Sequence, residues 1–260
     1  MGVFILIPFL DVVRRSFFEN ISGTFAGFSN YQAVFRNKAF ILAAGNTLRF
    51  VGYCIPLLLF FSLMAAIFLF RMKKFGRLIK SAFLIPMAIP VASIVLLWRL
   101  LFDSHGILNG LLFLLGWKSI HWMGSSAAFG ILVLSYVWKN IGYDIVLWIA
   151  GLSGISDAIY EAAKVDGAGE LSCFIHITLP NLLPSLFTIS VLSLLNSFKV
   201  FREAYLVAGD YPDQSMYLIQ HLLNNWFREM DFDKMAAASV VNGIMILILV
   251  MILKKTWEGA

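Results

Sequence analysis

The sequence is poor in charged residues and in cysteine. Only 13% of its 260 residues are Asp, Glu, Lys or Arg, whereas 60% are hydrophobic, and the mean hydropathy is +0.83. A water-soluble domain of this size needs a larger charged surface, so the composition indicates an integral membrane protein. The two cysteines, Cys54 and Cys173, have no metal-ligand spacing and predict neither a disulfide nor a metal site.

The sequence also lacks the usual motifs of enzymes. The phosphate-binding pattern G-x-x-x-x-G-K-[ST] does not occur, so we do not expect the chain itself to bind ATP by that route. The four histidines are isolated, and no nucleophile–base pair or metal-ligand set accompanies them. We therefore expect no catalytic residue, no metal and no cofactor in this chain. The net charge of +5 comes from short, scattered basic groups, which argues against nucleic-acid binding.

Long apolar segments organise the chain. Five are long enough to cross a bilayer, at residues 48–70, 81–102, 129–152, 182–201 and 235–253. Pro86 and Pro90 are expected to kink the second segment, because proline removes a backbone donor. The apolar stretch at residues 3–10 spans less than half of the roughly 20 residues that a bilayer crossing needs. The segments at 103–124 and 202–234 are predicted to lie on the outer side.

Basic residues set the predicted orientation. The densest cluster follows the 48–70 segment and comprises Arg71, Lys73, Lys74, Arg77 and Lys80. The positive-inside rule places this cluster, both chain ends and the 153–180 segment in the cytoplasm. Summed over all loops the bias is small, so the orientation depends on this cluster and on the assignment of the 153–180 segment.

Two crossings carry polar stripes. On the fourth crossing Tyr136, Lys139, Asn140, Tyr143 and Asp144 recur at helical spacing and share one face. Ionisable groups at membrane depth are costly and usually face a bundle interior or a wet cavity. Rings, an amide and charges suit a polyhydroxylated solute, so this stripe is a candidate solute path; a structural network between helices is the alternative.

The second polar stripe lies on the next crossing and contributes Ser193, Asn196 and Ser197 to the candidate path. Small polar residues at this spacing are more often helix-packing contacts than ligand groups.

The segment at residues 153–180 is a polar island between apolar segments. It predicts two short helices joined at Gly167 and Gly169, with Ser156 capping the first helix and Asp166 capping the second. Leu179-Pro180 is expected to end the second helix, because the residue before proline is disfavoured in the α region. One face of the first helix is small and suited to a groove; an amphipathic hairpin resting on lipid headgroups is the alternative.

The residues of this island resemble the EAA loop of permease subunits of bacterial binding-protein-dependent ABC importers. The matching positions are Glu161, Ala162, Ala163, Asp166, Gly167, Ala168, Phe174, Ile177, Leu179, Pro180 and Pro184. The resemblance implies an all-α membrane protein with the six-transmembrane-helix permease fold, in which residues 1–260 form a single transmembrane domain. Residues 8–17 resemble the last half of the first helix of such permeases, so we expect a first crossing that is truncated or a start codon assigned too late. It also implies that the island is a cytoplasmic coupling helix docked on an ATPase subunit, with Glu161 against the ATPase and Gly167 at the bend.

The resemblance extends to substrate and partners. Residues 27–31 and 196–212 are similar to segments of the sugar-permease branch, although Ala208, Asp210 and Tyr211 depart from its pattern. It implies a carbohydrate importer in a bacterial inner membrane, with a second permease, ATPase subunits that bind ATP and Mg²⁺, and an extracytoplasmic solute-binding protein. The alternatives are an ion-gradient-driven secondary transporter, with Lys139 and Asp144 as a proton relay, and an ABC permease for a non-sugar solute.

Overall fold

The computed structural model describes residues 2–72 and 76–258, which form helices and connecting loops. Of the predicted basic cluster, Lys73 and Lys74 lie outside the described residues. The helices are α1 (Gly2–Arg15), α2 (Ser29–Arg36), α3 (Lys38–Arg71), α4 (Gly76–Ala88), α5 (Val91–Phe102), α6 (Ile107–Leu114), α7 (Ala127–Ser153), α8 (Asp157–Val165), α9 (Glu170–Cys173), α10 (Leu179–Asn181), α11 (Leu183–Ser197), α12 (Phe201–Ala208), α13 (Ile219–Arg228) and α14 (Phe232–Glu258). A π-helical turn covers Phe174–Thr178, and a 3₁₀ turn covers Gln214–Met216.

Several helices are long and apolar enough to cross a membrane. Within the described residues they are four stretches, Lys38–Arg71, Val91–Leu114, Leu183–Tyr205 and Phe232–Lys255, and α7 with α8 adds a fifth if that bent pair is one span. Each overlaps one of the five predicted crossings. The 14 residues of α1 fall short of the roughly 20 that a span needs, so a sixth crossing stays a prediction.

The second predicted crossing differs from the structure. One kinked helix was expected over residues 81–102, but α4 ends at Ala88 and α5 begins at Val91. The break falls at Pro90, which has no N–H to donate and pushes Ile89 out of the α region. Pro86, in contrast, lies inside α4. The following segment at 103–124, predicted to lie on the outer side, contains α6, and the apolar stretch runs on to Leu114.

The chain divides into two compact units. The first comprises residues 1–50, 91–132 and 198–249. Its core consists of Val34, Phe40, Ala43, Tyr217, Ile219, Leu222, Trp226, Ala237 and Ala238. Two polar side chains of α3 hydrogen-bond to the backbone at residues 214–219, which lead into α13. Asn46 donates to the backbone oxygens of Gln214 and Tyr217, and the hydroxyl of Thr47 accepts from Ile219 N at 3.0 Å.

A salt bridge links the end of α13 to the loop after α12. The Arg228 guanidinium donates a hydrogen bond to the Asp210 carboxylate, and this contact holds the pKa of Asp210 below its usual range. Asp210 is one of the residues that depart from the sugar-permease pattern, and Arg228 is its ion-pair partner.

Asn109 on α6 organises the segment between α5 and α7. Its side chain is only 4% exposed. The amide nitrogen donates to the backbone oxygens of Asp103, Ser104 and Ile120, and the amide oxygen accepts from Ile120 N and from Trp122 Nε1. One side chain thus closes the loop onto the helix before it.

Replacing Asn109 with leucine is expected to loosen this segment without preventing membrane insertion. The substitution leaves several buried donors and acceptors unsatisfied, at about 1–3 kcal/mol each where water cannot replace the partner. Limited proteolysis of the purified protein should cut between residues 115 and 126 faster than in the wild type. Asn224→Leu is the matched control, since among the described residues the Asn224 side chain makes one long hydrogen bond, to Asp210 at 3.4 Å. Equal cleavage rates in N109L and wild type would contradict the assigned role.

The second unit comprises residues 51–90, 133–197 and 250–260. Its core is formed by Ala66, Leu69, Ile145, Trp148, Leu152, Leu182 and Ile189. Trp148 of α7 also donates a hydrogen bond from its indole nitrogen to the Ser62 hydroxyl of α3, at 2.9 Å. The backbone of α4 approaches α7 closely at Gly142, where an added Cβ would collide with the carbonyl of Phe83. These contacts hold the helices from which the polar island projects.

Candidate functional site

The polar island forms an elbow, which we define as residues 157–178. It consists of α8, the turn at Gly167, α9 and the π-helical turn. The axis of α8 is bent by 64° from that of α7, so the chain turns sharply after the membrane-spanning helix. The turn itself is made by Gly167, whose φ of +83° lies in the left-handed region that favours glycine. The predicted bend at this residue is therefore confirmed.

Hydrogen bonds fix the C-terminal end of α8. The amide nitrogens of Gly167 and Ala168 donate to the backbone oxygens of Lys164 and Ala163 at 3.1 and 2.9 Å. These bonds satisfy the last carbonyls of the helix in the manner usual for a left-handed C-terminal residue. Ser156 stands at the predicted N-cap position, although its side chain makes no capping hydrogen bond.

Two local predictions for the elbow were wrong. Asp166 does not cap the second helix; it is the C-cap of α8, and Gly169 occupies the N-cap position of α9, because the glycine turn inserts extra residues between the helices. Leu179-Pro180 does not end the second helix either. Pro180 lies in the first turn of α10, where its missing N–H needs no partner, and helical conformation continues into α11.

The elbow presents most of its side chains to the surroundings. No residue of α8 is buried, Val165 is 87% exposed and Leu171 is 72% exposed. Among the predicted coupling residues, the exposed ones are Glu161, Ala162, Asp166, Gly167, Leu179 and Pro180, and the half-buried ones are Ala163, Ala168, Phe174 and Ile177. The predicted coupling residues therefore lie on the elbow and, for Leu179 and Pro180, at the start of α10 directly after it.

An ion pair ties the elbow to the end of α3. The Arg71 guanidinium lies 3.1 Å from the Glu170 carboxylate, and both side chains are largely exposed. Within the elbow, the hydroxyls of Tyr160 and Thr178 share a hydrogen bond of 2.8 Å. From the sequence, Arg71 was used only to predict the orientation of the chain in the membrane. Its pairing was not predicted, because Glu170 is 99 positions away and no local pattern links the two residues.

The two polar stripes meet at Ser193. The Tyr136 hydroxyl donates to the backbone oxygen of Ser193 at 2.6 Å, and the Ser193 hydroxyl donates to the Asp144 carboxylate at 3.0 Å. All three side chains are at most 3% exposed. They therefore form a network that links α7 to α11, which is the alternative raised for this stripe.

The other members of the stripes are arranged differently. Lys139, Asn140, Tyr143 and Asn196 are half-buried, and the amide of Asn140 donates to the backbone oxygen of Tyr136 within α7. Ser197 is buried and donates to the oxygen of Leu194 in its own helix. The candidate path thus separates into buried residues that bind neighbouring backbone or side chains and half-buried residues along the same helices.

Comparison with known proteins places the chain in a family. Residues 33–254 match the family described as binding-protein-dependent transport system inner membrane component. The arabinooligosaccharides transport system permease protein AraP of Bacillus subtilis is 31% identical over 97% of this chain and 83% of its own length. The trehalose/maltose transport system permease protein MalF of Thermococcus litoralis is 29% identical over 94% of this chain and 85% of its own.

Solved structures show the same fold. A chain of a bacterial ABC transporter involved in the import of the acidic polysaccharide alginate matches with a TM-score of 0.83 and 22% identity, over 98% of this chain and 90% of that one. The same kind of transporter in complex with an alginate pentasaccharide-bound periplasmic protein matches with a TM-score of 0.75 over 87% of this chain. With residues 33–254 matched and helices that accord with this fold, the protein belongs to the family of inner membrane components of binding-protein-dependent transport systems.

Proposed function

We propose that this chain is the permease subunit of an ATP-driven carbohydrate importer and that the elbow couples it to a cytoplasmic ATPase subunit. The observation that carries the proposal is the elbow itself, an exposed helical segment that bears the EAA-type residues and is bent by 64° from α7. ATP and Mg²⁺ are bound and used by the ATPase, and the permease supplies half of the pathway.

Movement is transmitted through rigid helices. When the ATPase subunits close on ATP, they displace the docked α8, and the short link at residues 154–156 passes the displacement to α7. Because α7 is packed against α3 and α11 through Trp148 and Ser193, the three helices tilt together. Such rigid-body tilting exchanges access to the cavity from one side of the membrane to the other.

The relatives support a carbohydrate as the cargo. Their names give arabinooligosaccharides, trehalose or maltose, and sulfoquinovosyl glycerol as the solutes of those proteins. We propose a bacterial inner-membrane location, a second permease subunit and an extracytoplasmic binding protein as partners, in line with the periplasmic protein bound to the alginate transporter. A relative for sn-glycerol-3-phosphate keeps a phosphorylated polyol as the alternative cargo.

The half-buried polar residues are the proposed contacts for the solute. Lys139, Asn140, Tyr143 and Asn196 offer a charge, amides and a ring, which suit hydroxyl groups and sugar faces. Tyr136, Asp144 and Ser193 are proposed to keep α7 and α11 in register beside them, since these side chains are buried and hydrogen-bonded from one helix to the other. Ser197 is buried as well and bonds within α11, so we propose a structural role for it too.

Charge reversal at Glu161 tests the coupling. Glu161→Lys is expected to leave the chain in the membrane but to reduce both the ATPase recovered with a tagged permease and solute uptake by at least about tenfold, because a reversed charge in an interface repels its former partner. Glu229→Lys is the control, the same reversal on an exposed residue of the other unit. Wild-type recovery and uptake with E161K, or uptake that survives ATP depletion, would contradict the proposal.

A further inference from the structure

A cavity of about 400 Å³ lies between the elbow and the ends of α3 and α7. Its volume is in the range of small-molecule sites. The apolar wall is formed by Ile67, Phe70, Leu152 and Phe174, and four charged side chains line it as well. Because the membrane-spanning helices α3 and α7 end at Arg71 and Ser153, the cavity opens where the bilayer surface is expected.

The charges around the cavity are balanced in sign. Arg71 and Lys164 are the cations, and Asp157 and Glu170 are the anions. Arg71 and Glu170 already form an ion pair at 3.1 Å. In the part of the chain that the structure describes, neither Asp157 nor Lys164 has an ion-pair partner. The cavity thus presents one anion and one cation to a ligand.

The positions of these two residues define the ligand's shape. Asp157 and Lys164 are seven residues apart on α8, so they lie on one face and about 10 Å apart along the axis. A molecule with an ammonium group and a phosphate group a few ångströms apart, plus a hydrogen bond of about 3 Å at each end, spans this separation. An anion alone would leave Asp157 unmatched, and a cation alone would leave Lys164 unmatched.

We propose that this cavity binds a phosphoethanolamine group, supplied by the headgroup of a membrane phospholipid. Asp157 accepts hydrogen bonds from the ammonium, Lys164 contacts the phosphate, and the apolar wall covers the glycerol and first acyl carbons. The lipid would bind the elbow to the ends of two membrane-spanning helices, next to the Arg71–Glu170 ion pair. The site stands on the cavity alone and holds whether or not the elbow docks on an ATPase.

Lipid binding to the purified full-length chain tests the site. Native mass spectrometry in detergent would compare phosphatidylethanolamine, phosphatidylcholine and phosphatidylglycerol with identical acyl chains. We expect phosphatidylethanolamine to bind about tenfold more tightly than the other two, because only its ammonium offers Asp157 a charged N–H donor: the choline cation has no N–H, and the glycerol hydroxyls are uncharged. Asp157→Asn should abolish this preference, and Lys164→Gln should weaken all three lipids. Lys255→Gln, an exposed residue outside the cavity, should change none of them.

Charge-preserving variants and the free headgroup separate the possible outcomes. Asp157→Glu and Lys164→Arg keep the charges and should keep the preference, which separates loss of charge from loss of fold. Equal binding of the three lipids by the wild type, or an unchanged preference in D157N, would overturn the proposal. Free phosphoethanolamine should bind far more weakly than the lipid; equal affinity would assign the cavity to a soluble zwitterion and overturn the lipid source. ATPase recovery plays no part in these measurements, so their failure is distinct from failure of the coupling.

Discussion

Replacing Gly142 with alanine is expected to prevent the second unit from reaching its native packing. The added Cβ would collide with the carbonyl of Phe83 and lie within 3.1 Å of Leu84 N, both of which are backbone atoms that cannot rotate away. α4 and α7 would have to separate, at an expected cost of about 3 kcal/mol or more, the upper end of the range for overpacked sites. A fluorescent fusion should show a strongly reduced yield of monodisperse protein in detergent.

The same helix provides the matched control for this prediction. Gly130 also lies in α7, but an added Cβ there would meet no atom within 4 Å. Gly130→Ala should therefore be neutral or slightly stabilising, since alanine has the higher helix propensity. Equal yields and equal melting temperatures for G142A and G130A would show that α4 does not approach α7 in this way.

Gly167→Pro should abolish solute uptake while the protein still inserts in the membrane. Gly167 has a φ of +83°, whereas proline fixes φ near −65°, and the substitution also removes the hydrogen bond from Gly167 N to Lys164 O. The turn between α8 and α9 must then open, and the exposed face of α8 loses the direction in which we propose it docks. Uptake by whole cells should fall to the level of a strain without this chain.

Two alanine variants show whether conformation at this turn is responsible. Gly167→Ala keeps the N–H and carries only the left-handed penalty of about 1–2 kcal/mol, so we expect an intermediate loss. Gly169→Ala should behave as wild type, because Gly169 has a φ of −73° and open space around its Cα. Full uptake by G167P would mean that the elbow geometry is not needed for transport.

Much of the architecture could be predicted from the residues. Runs of apolar side chains must lie in lipid or protein, so hydropathy alone located the five spans. The majority of the span ends lie within a few residues of the predicted ones. Gly167 was recognisable as the bend because only glycine adopts a positive φ at no cost. The small, exposed face of α8 followed from the helical spacing of its alanines.

Other features could not be read from local sequence. The break lies at Pro90 and not at Pro86, although both prolines carry the same local signal. Asp166 and Gly169 are both acceptable N-caps, and the number of residues in the glycine turn decided between them. The prediction that a helix ends at Leu179-Pro180 was wrong because proline is tolerated in the first turn of a helix, where Pro180 lies.

Composition, hydropathy and the spacing of the EAA-type residues by themselves determined that this protein is a helical membrane permease with a projecting elbow. Only the tertiary structure decided that Tyr136 and Asp144 meet at Ser193, that Arg71 pairs with Glu170, and that a cavity with Asp157 and Lys164 lies behind α8. The physical reason is range: a span or a turn is set by neighbours along the chain, whereas these contacts join residues that are distant in sequence or depend on the space between packed helices.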